Sequence, residues 1–555
     1  MCLGSASRLV ARTSGFLGWT LVSERSGEQQ VIDLPLPTPV PLRSAMLTVP
    51  RQGRKWPGAV RAALTVALPG LLGVALGFGA VPAVATLGAF AVVYGEQRAY
   101  RVRWRVVAVV GAVLVVLATL GAAAGSVVHD ALGSGGSAWW YLLVIAAMTV
   151  TVATCAFVVD ALRLGSPGAF LMLLSLEIAS ALPAAGVSVP TVTAWTAIGA
   201  GTALVISVSG ACVRPHTPER TAVAAAVAAV DRVTAENTAA HRRSAVHDLH
   251  AAWQCLHDAG LVGSGHPLER TLSAAHARCA ALLHSPGDGE PVPEDDLRPQ
   301  IPLPRPSVGY RLRRAAGLRG RSATIALRLL VAGPAAGTIA IVLGVGRPDW
   351  AVITAAMILH QGPDRILGSY RALHRFVGTV LGLVVLACLT PFHPSGAALV
   401  VVLAAVFAGI EMFLVRHYGL AMTFITPLVI VLGGLGAPAD PETTARDRFL
   451  ETVIGVCVAL FVLWGLWPRA HRRILVYADG RVRDTIARIT AATDPHDLPE
   501  LRRDLEFDLQ ASTTAAVIAA HTEPEWTRQR WAGHHELHHL GHLILTSPQR
   551  VAPGA

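Results

Sequence analysis

Charged side chains are scarce in this sequence. Asp, Glu, Lys and Arg make up 15% of the 555 residues, whereas hydrophobic residues make up 53%. A soluble globular chain usually carries about 25% charged residues. The scarcity excludes a disordered chain, a coiled coil and most cytosolic enzymes, and it indicates that lipid solvates much of the chain. Aromatic residues contribute only 6%, so the hydrophobic excess is aliphatic.

Lysine is almost absent, because Lys55 is the only one and every other basic residue is an arginine. The formal net charge is +10. A basic excess can indicate nucleic-acid binding. The arginines here flank apolar runs, however, which favours charges that orient membrane helices. We therefore predict no nucleic-acid partner.

Sequence signals for bound cofactors are missing. The seven cysteines form no CxxC pair, so we expect free thiols rather than a disulfide framework or a thiolate metal site. No P-loop is present, which argues against ATP as a coupling source. Residues 14–22 are too polar for the apolar core of a cleavable signal peptide. We predict that the protein needs no cofactor.

Twelve apolar runs approach the roughly 20 residues that a helix needs to span a bilayer. Six lie in each half of the chain. The second run of each half is short and could be a re-entrant or broken helix, which requires surrounding protein. The runs are residues 59–77, 79–95, 104–125, 138–160, 166–183 and 190–213, then 323–345, 349–362, 373–391, 396–414, 418–436 and 448–467.

Arginine placement predicts the orientation of these helices. Arginines follow every second run, whereas the loops at 126–137 and 184–189 contain neither Lys nor Arg. Arg347, Arg446 and Arg448 are exceptions on the other side. The positive-inside rule then places both termini and the central segment in the cytoplasm of a multi-pass plasma-membrane protein.

The two halves resemble each other. A Tyr-Arg-x-x-x-Arg motif precedes the third run of each half, and three further matches occur in the same order. Because each half holds an even number of runs, the repeats are predicted to be parallel, related by an axis along the membrane normal. The matched motifs are Tyr100-Arg101-x-x-x-Arg105 with Tyr370-Arg371-x-x-x-Arg375, Glu96 with Asp364, Arg61 and Pro69 with Arg328 and Pro334, and Arg163 and Gly168 with Arg416 and Gly419.

These patterns predict an all-α polytopic membrane protein with about twelve transmembrane helices in two parallel six-helix repeats. Amphipathic stretches between and after the halves predict a helical cytoplasmic insert and tail, and prolines within 285–308 indicate a linker. The predicted domains are a disordered extension (1–55), a first transmembrane repeat (56–213), the insert and linker (214–322), a second transmembrane repeat (323–468) and the tail (469–555).

Two stretches of the second half carry a resemblance to a known family. They run from Trp350-Ala-Val-Ile-Thr-Ala-Ala through Tyr370-Arg-Ala-Leu-His-Arg-Phe-Val-Gly-Thr-Val-Leu-Gly382, and over Arg416-His-Tyr-Gly-Leu-Ala-Met-Thr-Phe-Ile-Thr-Pro427. Both resemble the fusaric acid resistance (FUSC-like) integral membrane transporters, which are related to aromatic acid exporters. The first half matches with looser motifs. The resemblance implies export of small, often anionic molecules.

Four arginines are candidates for substrate binding. Arg371 and Arg375 lie one helical turn apart, as do Arg101 and Arg105, so each pair can present one cationic face. Guanidinium groups bind carboxylates bidentately. The alternative is that these arginines only orient their helices.

Two acidic residues and two glycines are further candidates. Glu177 lies in an otherwise apolar run, where a charge costs at least about 2.5 kcal/mol and predicts a functional site; proton coupling is its predicted role. Glu411 is the second proton-coupling candidate, although it lies nearer a helix end. Gly378 and Gly382, with Thr379 between them, form a helix-packing motif.

The tail contains the pattern HExxH at His535-Glu536-Leu537-His538-His539. In metalloproteases this pattern needs a third ligand and a substrate cleft. No protease-sized domain surrounds it here, so we predict a solvated helix without enzymatic activity and assign no metal ligand. Adventitious or regulatory metal binding stays an alternative, because His535, His539 and His542 share a helix face.

The predicted function is integral membrane transport. The resemblance implies export of small aromatic or amphipathic organic acids, and Glu177 suggests that the proton gradient drives it. Two alternatives stay open, namely a passive anion channel and a non-transporting membrane scaffold or sensor. The predicted partners are membrane lipid and a small organic anion, and homo-oligomerisation stays open.

Overall fold

The computed structural model describes residues 36–48, 55–165, 167–284, 301–414, 416–435 and 440–546. All regular structure within these ranges is helical. Most of the predicted N-terminal extension and residues 285–300 of the predicted linker lie outside the described residues. Within the extension, Leu42–Leu47 form a short helix (α1), and the backbone carbonyl of Met46 lies 2.8 Å from His417 Nε2. The predicted disorder of the extension as a whole stays a prediction.

The first half contains four long helices and two short ones. The short helices are the second and fifth of this half. Each spans only about 20 Å, less than the roughly 30 Å bilayer core. The helices are Trp56–Ala75 (α2), Val81–Val93 (α3), Tyr100–Gly133 (α4), Tyr141–Leu162 (α5), Phe170–Ala181 (α6) and Val189–Val213 (α7).

Three amphipathic helices follow and form a bundle. They are Thr217–Ala235 (α8), Ala239–Ala259 (α9) and Pro267–His284 (α10). Their apolar faces meet around the buried Trp253, together with Val230 and Leu272. The short helix Val308–Ala315 (α11) then leads into the second half.

The second half repeats the order of long and short helices. Its second and fifth helices are again short. The helices are Arg321–Val342 (α12), Asp349–Leu359 (α13), Arg365–Leu389 (α14), Gly396–Phe413 (α15), Tyr418–Gly433 (α16) and Pro441–Trp464 (α17). A second three-helix bundle follows, Ala470–Ala491 (α18), Leu498–Thr522 (α19) and Pro524–Thr546 (α20).

Seven helices of the described chain are long and apolar enough to cross a membrane, namely α2, α4, α5, α7, α12, α14 and α15. The protein is therefore a multi-pass membrane protein of the all-α class. Four shorter apolar helices, α3, α6, α13 and α16, lie among them. The total of twelve spanning helices, their grouping into two repeats and the cytoplasmic position of the bundles stay predictions.

The two halves pack against each other through one pair of helices on each side. The first helix of each half lies against the fourth helix of the other, so that α2 packs along α15 and α12 packs along α5. Within each half, α4 packs against α6 and α7, and α14 packs against α16 and α17.

Each bundle is tied to the membrane half that precedes it. In the first, Asp258 at the end of α9 accepts a hydrogen bond of 2.9 Å from Arg98, just before α4. In the second, His521 at the end of α19 lies 2.7 Å from Asp364, just before α14. The ends of α9 and α19 therefore contact corresponding positions of the two halves.

Candidate functional site

A cavity of about 620 Å³ lies where α9, α10 and α19 meet the start of α12 and the turn between α13 and α14. Its charged lining is mainly cationic, since three arginines face one aspartate. Three histidines add polar groups, and burial raises the pKa of the Cys279 thiol, which keeps that group neutral. The polar lining includes Arg243, Arg321, Arg371, Asp364, His247, His250 and His276; the apolar lining includes Val246, Leu249, Leu367, Val517 and Ile518.

The turn between α13 and α14 positions two of these arginines. Arg371 donates from Nε to the carbonyl of Ile358 at 3.0 Å and from Nη2 to that of Gly362 at 3.4 Å. Arg321 donates to the carbonyl of Gln361 at 3.0 Å. Gly362 has a φ of +144°, a conformation open mainly to glycine. Backbone carbonyls at a strained turn thus hold both guanidinium groups at the cavity.

Arg375 lies one helical turn deeper than Arg371 and is 2% exposed. Its guanidinium approaches only neutral groups, Thr354 Oγ1 at 3.5 Å and Met422 Sδ at 3.4 Å. Within the part of the chain that the structure describes, it forms no salt bridge with a carboxylate. Burying a cation without a carboxylate is costly, so this arginine suits an anion that arrives from elsewhere.

Arg101 and Arg105 lie elsewhere. Both are exposed. Arg101 donates a long 3.5 Å hydrogen bond to the carbonyl of Ala259 at the end of α9, and Arg105 lies over the neighbouring ring of Trp104. Neither lines the cavity, so their role in substrate binding stays a prediction. The buried arginine of α4 is Arg103, at 2% exposure, which sequence reasoning did not single out.

Glu177 is the centre of a buried ionic network. Its carboxylate is fully buried and accepts a hydrogen bond of 3.1 Å from Arg347, which also binds Asp349 at 2.5 Å. The backbone N–H of Arg347 donates to Glu451 at 3.1 Å, and Arg448 donates to the other oxygen of Glu451 at 3.1 Å. Three carboxylates and two guanidinium groups thus share one site.

This network accounts for two exceptions to the arginine pattern. Arg347 and Arg448 lie on the side where few arginines were expected, and both are held by buried acids. The guanidinium carbon of Arg448 also lies 3.6 Å from the ring centre of Trp350. Sequence reasoning missed Asp349 and Glu451, although the misplaced arginines were the signal that acids lie nearby.

Glu411 forms a second acidic contact on α15. Its side chain is 7% exposed, and its carboxylate lies beside that of Glu96, because Oε1 of each would contact a Cβ at Gly58. Glu96 also accepts hydrogen bonds from Lys55 at 3.1 Å and Arg61 at 2.8 Å. Two neighbouring carboxylates repel each other when both are ionised, so this pair is a candidate site for one shared proton.

Gly378 and Gly382 face α16. A Cβ at Gly378 would lie 2.4 Å from Met422 Cβ, and one at Gly382 would lie 2.6 Å from Thr426 Cβ. Thr379 is buried between them, at 3% exposure. The three residues therefore lie at a close helix contact rather than at the cavity.

The short helix α13 links the cavity to the ionic network. All of its residues from Asp349 to Leu359 are buried. Arginines contact it along its whole length: Arg371 at its last turn, Arg375 at its middle, and the network arginines at its first turn. At 11 residues, the helix separates cavity and network by about 16 Å.

This arginine-lined region lies within a segment that matches a known family model. Residues 335–462 match the model described as fusaric acid resistance protein-like. This match covers less than a quarter of the chain. The sequence resemblance to FUSC-like membrane proteins is thereby confirmed, and the matched segment includes α13, Arg371, Arg375 and Glu411.

The curated proteins similar to parts of this chain include an uncharacterized membrane protein and two efflux pump subunits. The uncharacterized membrane protein YvaC of Bacillus subtilis is 30% identical over 164 residues, which are 29% of this chain and 26% of YvaC. The p-hydroxybenzoic acid efflux pump subunit AaeB of Edwardsiella ictaluri is 28% identical over 196 residues, 30% of each protein. AaeB of Edwardsiella tarda is 31% identical over 141 residues, 23% of this chain and 22% of that protein.

The chain thus matches less than a third of the length of these relatives. No solved structure matches it significantly.

Proposed function

We propose that this protein is a secondary transporter that exports small organic anions, aromatic carboxylates in particular. The observation that carries the proposal is the row of arginines along α13, which begins at a cavity and ends at a buried acidic network. Anions would bind first at Arg371 and then pass to Arg375.

The cavity suits such a ligand in size and chemistry. Small-molecule sites usually enclose about 300–1,000 Å³, and this one encloses about 620 Å³. Arginine recognises a carboxylate through two parallel hydrogen bonds, and Leu249, Val517 and Ile518 offer apolar surface for a ring. The relatives named as p-hydroxybenzoic acid efflux pump subunits support an aromatic acid as the ligand class.

Arg375 is the second step because no carboxylate of the described residues forms an ion pair with it. The structure supplies only a hydroxyl and a thioether, both weak partners for a guanidinium group. An incoming carboxylate would replace these contacts with a charge-assisted pair, which is roughly twice as strong as a neutral hydrogen bond.

Glu177 is the proposed proton-coupling residue, and Glu411 with Glu96 is a second proton site. Arg347 is shared between Glu177 and Asp349. Protonation of Glu177 would remove one of the two charges that hold Arg347. The network would then loosen at the far end of α13 from the cavity, which couples proton binding to the route of the anion.

Efflux from proteoliposomes tests the anion route. Labelled p-hydroxybenzoate would be the substrate, with and without an imposed pH step. Arg371→Ala should raise the substrate concentration for half-maximal flux by roughly tenfold or more, because one charged hydrogen bond contributes about 1.5–3 kcal/mol. Arg375→Ala should lower flux, and Arg375→Lys should rescue it poorly because lysine lacks the planar fork.

The matched control is Arg278→Ala. Arg278 lies on α10, half-exposed in a pair with Asp231 at 2.5 Å, and is not part of the cavity lining. It should leave flux unchanged. Equal loss in the control and in Arg371→Ala would contradict the anion route.

Glu177→Gln tests coupling separately. The variant should still carry p-hydroxybenzoate down its own gradient, but it should no longer respond to the pH step. Full pH-driven efflux in this variant would show that the proton is carried elsewhere. Downhill flux that is indifferent to pH in the unmodified protein would instead support the passive-channel alternative.

A further inference from the structure

The C-terminal bundle contains a cluster of four polar side chains beside its apolar core. Asp479 on α18, Ser512 on α19, and His534 and His538 on α20 are 0–9% exposed. Leucines, a valine and an isoleucine surround them, including Leu505, Leu509 and Leu537. Burying polar groups in a small helical core costs free energy unless they bind one another or a ligand.

The four side chains converge on one point. The carboxylate Oδ1 of Asp479 accepts hydrogen bonds from the Ser512 hydroxyl at 2.5 Å and from His534 Nδ1 at 3.1 Å. Ser512 Oγ lies 3.1 Å from His538 Nε2. The two imidazole rings lie 4.2 Å apart between centroids, and the ligand atoms of Asp479, His534 and His538 all lie within 4.8 Å of one another.

We propose that Asp479, His534 and His538 bind a divalent transition-metal ion, zinc in the first instance, with Ser512 at the fourth position. On metal binding, the proton of each neutral imidazole would sit on its other ring nitrogen, which would leave the lone pairs of His534 Nδ1 and His538 Nε2 directed at the point where the hydrogen bonds now meet. Zinc–nitrogen and zinc–oxygen bonds of about 2.0–2.2 Å place tetrahedral ligand atoms roughly 3.3 Å apart. The observed 3.1 Å separations are close to that spacing.

The ligand types favour zinc over harder or softer ions. Two imidazoles and one carboxylate suit zinc and its neighbours in the first transition row, whereas magnesium and calcium prefer oxygen alone. His534 and His538 are four residues apart on one helix, a spacing that places both on the same face. Three helices thus contribute to one site, as expected of a metal that fastens a bundle.

The two histidines of the HExxH pattern, His535 and His539, are not the two that belong to the proposed metal site. His539 is exposed and His535 is half-buried, whereas His534 and His538 are buried in the bundle. The inward pair is shifted by one residue from the pattern. The proposed site is therefore structural and enclosed, and it is not a protease centre.

The proposed metal site and the cavity lie on different faces of α19. Ser512 contributes to the cluster from α19, while Gln510, Thr513 and Thr514 of the same helix line the cavity. A metal ion would fix α19 against α18 and α20. The metal proposal stands on the cluster alone and does not depend on the proposed transport activity.

Metal analysis of the purified full-length protein tests the site. The protein would carry no polyhistidine tag, be stripped with a chelator, and be titrated with Zn²⁺ alone. The unmodified protein should bind about one ion per chain and unfold at a higher temperature with Zn²⁺ than without it. His534→Gln with His538→Gln should weaken binding beyond the roughly 10–100-fold that outer-shell changes cost, and it should abolish the thermal shift.

The matched control is His535→Gln with His539→Gln, which alters the two outer histidines of the same helix. It should bind Zn²⁺ as the unmodified protein does. Binding that is lost in this control but kept in the inner variant would overturn the proposal, and so would an unmodified protein that neither binds nor responds to Zn²⁺.

A third measurement requires no variant, should the inner one fail to fold. Co²⁺ bound to the unmodified protein should give the intense visible absorption of a tetrahedral nitrogen–oxygen site. The weak spectrum of hydrated Co²⁺ would overturn the proposal.

Discussion

Arginines that pack between the helices differ in how their charge is compensated, although the Arg347 side chain stays 28% exposed. Arg347 is shared by two carboxylates, and Arg314 donates from Nε and Nη2 to the two carboxylate oxygens of Asp508. Arg375 contacts only neutral groups. Removing a partner from a compensated pair leaves an unpaired buried charge, whereas Arg375 has no such pair to break. Loss of Arg347 should therefore harm stability, and loss of Arg375 should mainly harm binding.

Arg347→Met should be strongly destabilising. It leaves Glu177 and Asp349 without their shared cation, and breaking a buried pair costs about 3–5 kcal/mol. Adding Glu177→Gln to the variant should recover part of the loss because one uncompensated charge is removed. The measurement is unfolding of the detergent-solubilised protein, followed by tryptophan fluorescence.

The control for this prediction is Arg528→Ala. Arg528 and Glu525 form an exposed pair at 2.8 Å, and such surface pairs contribute about 0–1 kcal/mol. Similar losses in Arg347→Met and Arg528→Ala would show that the buried network contributes little to stability.

Asp504 on α19 predicts a pH-dependent stability. Burial, with Asp508 and Glu500 nearby, raises the pKa of Asp504 to about 6. An acid whose pKa is higher in the folded than in the unfolded state destabilises the fold once it ionises, so its penalty is complete above pH 6 and fades as the pH falls towards 4. Asp504→Asn should therefore raise the free energy of unfolding by about 1 kcal/mol at pH 7.5.

The same comparison at pH 4.5 should show little difference between Asp504→Asn and the unmodified protein. Thermal unfolding at the two pH values measures this. A gain that is equal at both would mean that charge is not its cause.

At the scale of elements, close helix contacts rest on glycines placed opposite backbone atoms. Gly121 and Gly125 on α4 face the carbonyls of Leu176 and Ser180 on α6, and Gly378 and Gly382 play the same part between α14 and α16. Small residues allow helices to approach closely where lipid offers no hydrophobic drive. Glu177 is carried on α6, so the α4–α6 contact also positions the ionic network.

Gly121→Ala should separate α4 from α6. A Cβ there would lie 2.1 Å from the Leu176 carbonyl oxygen, and overpacking typically costs about 1–3 kcal/mol. Gly201→Ala on α7 is the control, because a Cβ there meets nothing within 4 Å. Thermal unfolding in detergent should show a loss for the first variant only, and an equal loss in both would contradict this account of the contact.

Helix positions could be predicted from the sequence, whereas side-chain partners could not. The runs at 190–213 and 396–414 correspond closely to Val189–Val213 and Gly396–Phe413, because a long apolar run between polar ends has few other conformations in lipid. Glu177 could be singled out as an isolated acid. Its partner Arg347 is 170 positions away, and such a contact depends on how helices pack rather than on local pattern.

The arginine motifs illustrate the same limit. Arg371 and Arg101 have matching sequence surroundings, yet one lines a cavity and the other contacts the end of α9. By their contacts with the neighbouring helix, Gly121 and Gly125 of α4 correspond to Gly378 and Gly382 of α14. The distance along the chain from the Tyr-Arg motif to these glycines differs between the two halves. The surroundings of each arginine therefore depend on how the helices pack, which similar local sequences do not determine.

At the scale of the whole molecule, each membrane half is followed by a three-helix bundle. The bundles are bound to their halves at corresponding places, through Asp258 with Arg98 and through His521 with Asp364. The cavity lies where parts of both bundles meet the second half. If the bundles lie in the cytoplasm, the cavity receives its ligand from that side.

Reporter fusions test this orientation. Fusions after Arg214, Gly320 and Arg469 should all report the cytoplasm, because the arginine pattern places these points on the same side. A periplasmic signal after Gly320 alone would mean that one half contains an odd number of crossings.

The packing of helices from one half against the other half has a consequence during translation of the chain. α2 packs along α15, which is translated about 320 residues later. At roughly 5–20 residues per second, α2 waits on the order of 15–60 s for that partner. During this interval lipid or a membrane chaperone must cover the face of α2 that α15 will occupy. A chain that terminates before α15 would leave this face exposed, which marks it for the quality control that removes incomplete membrane proteins.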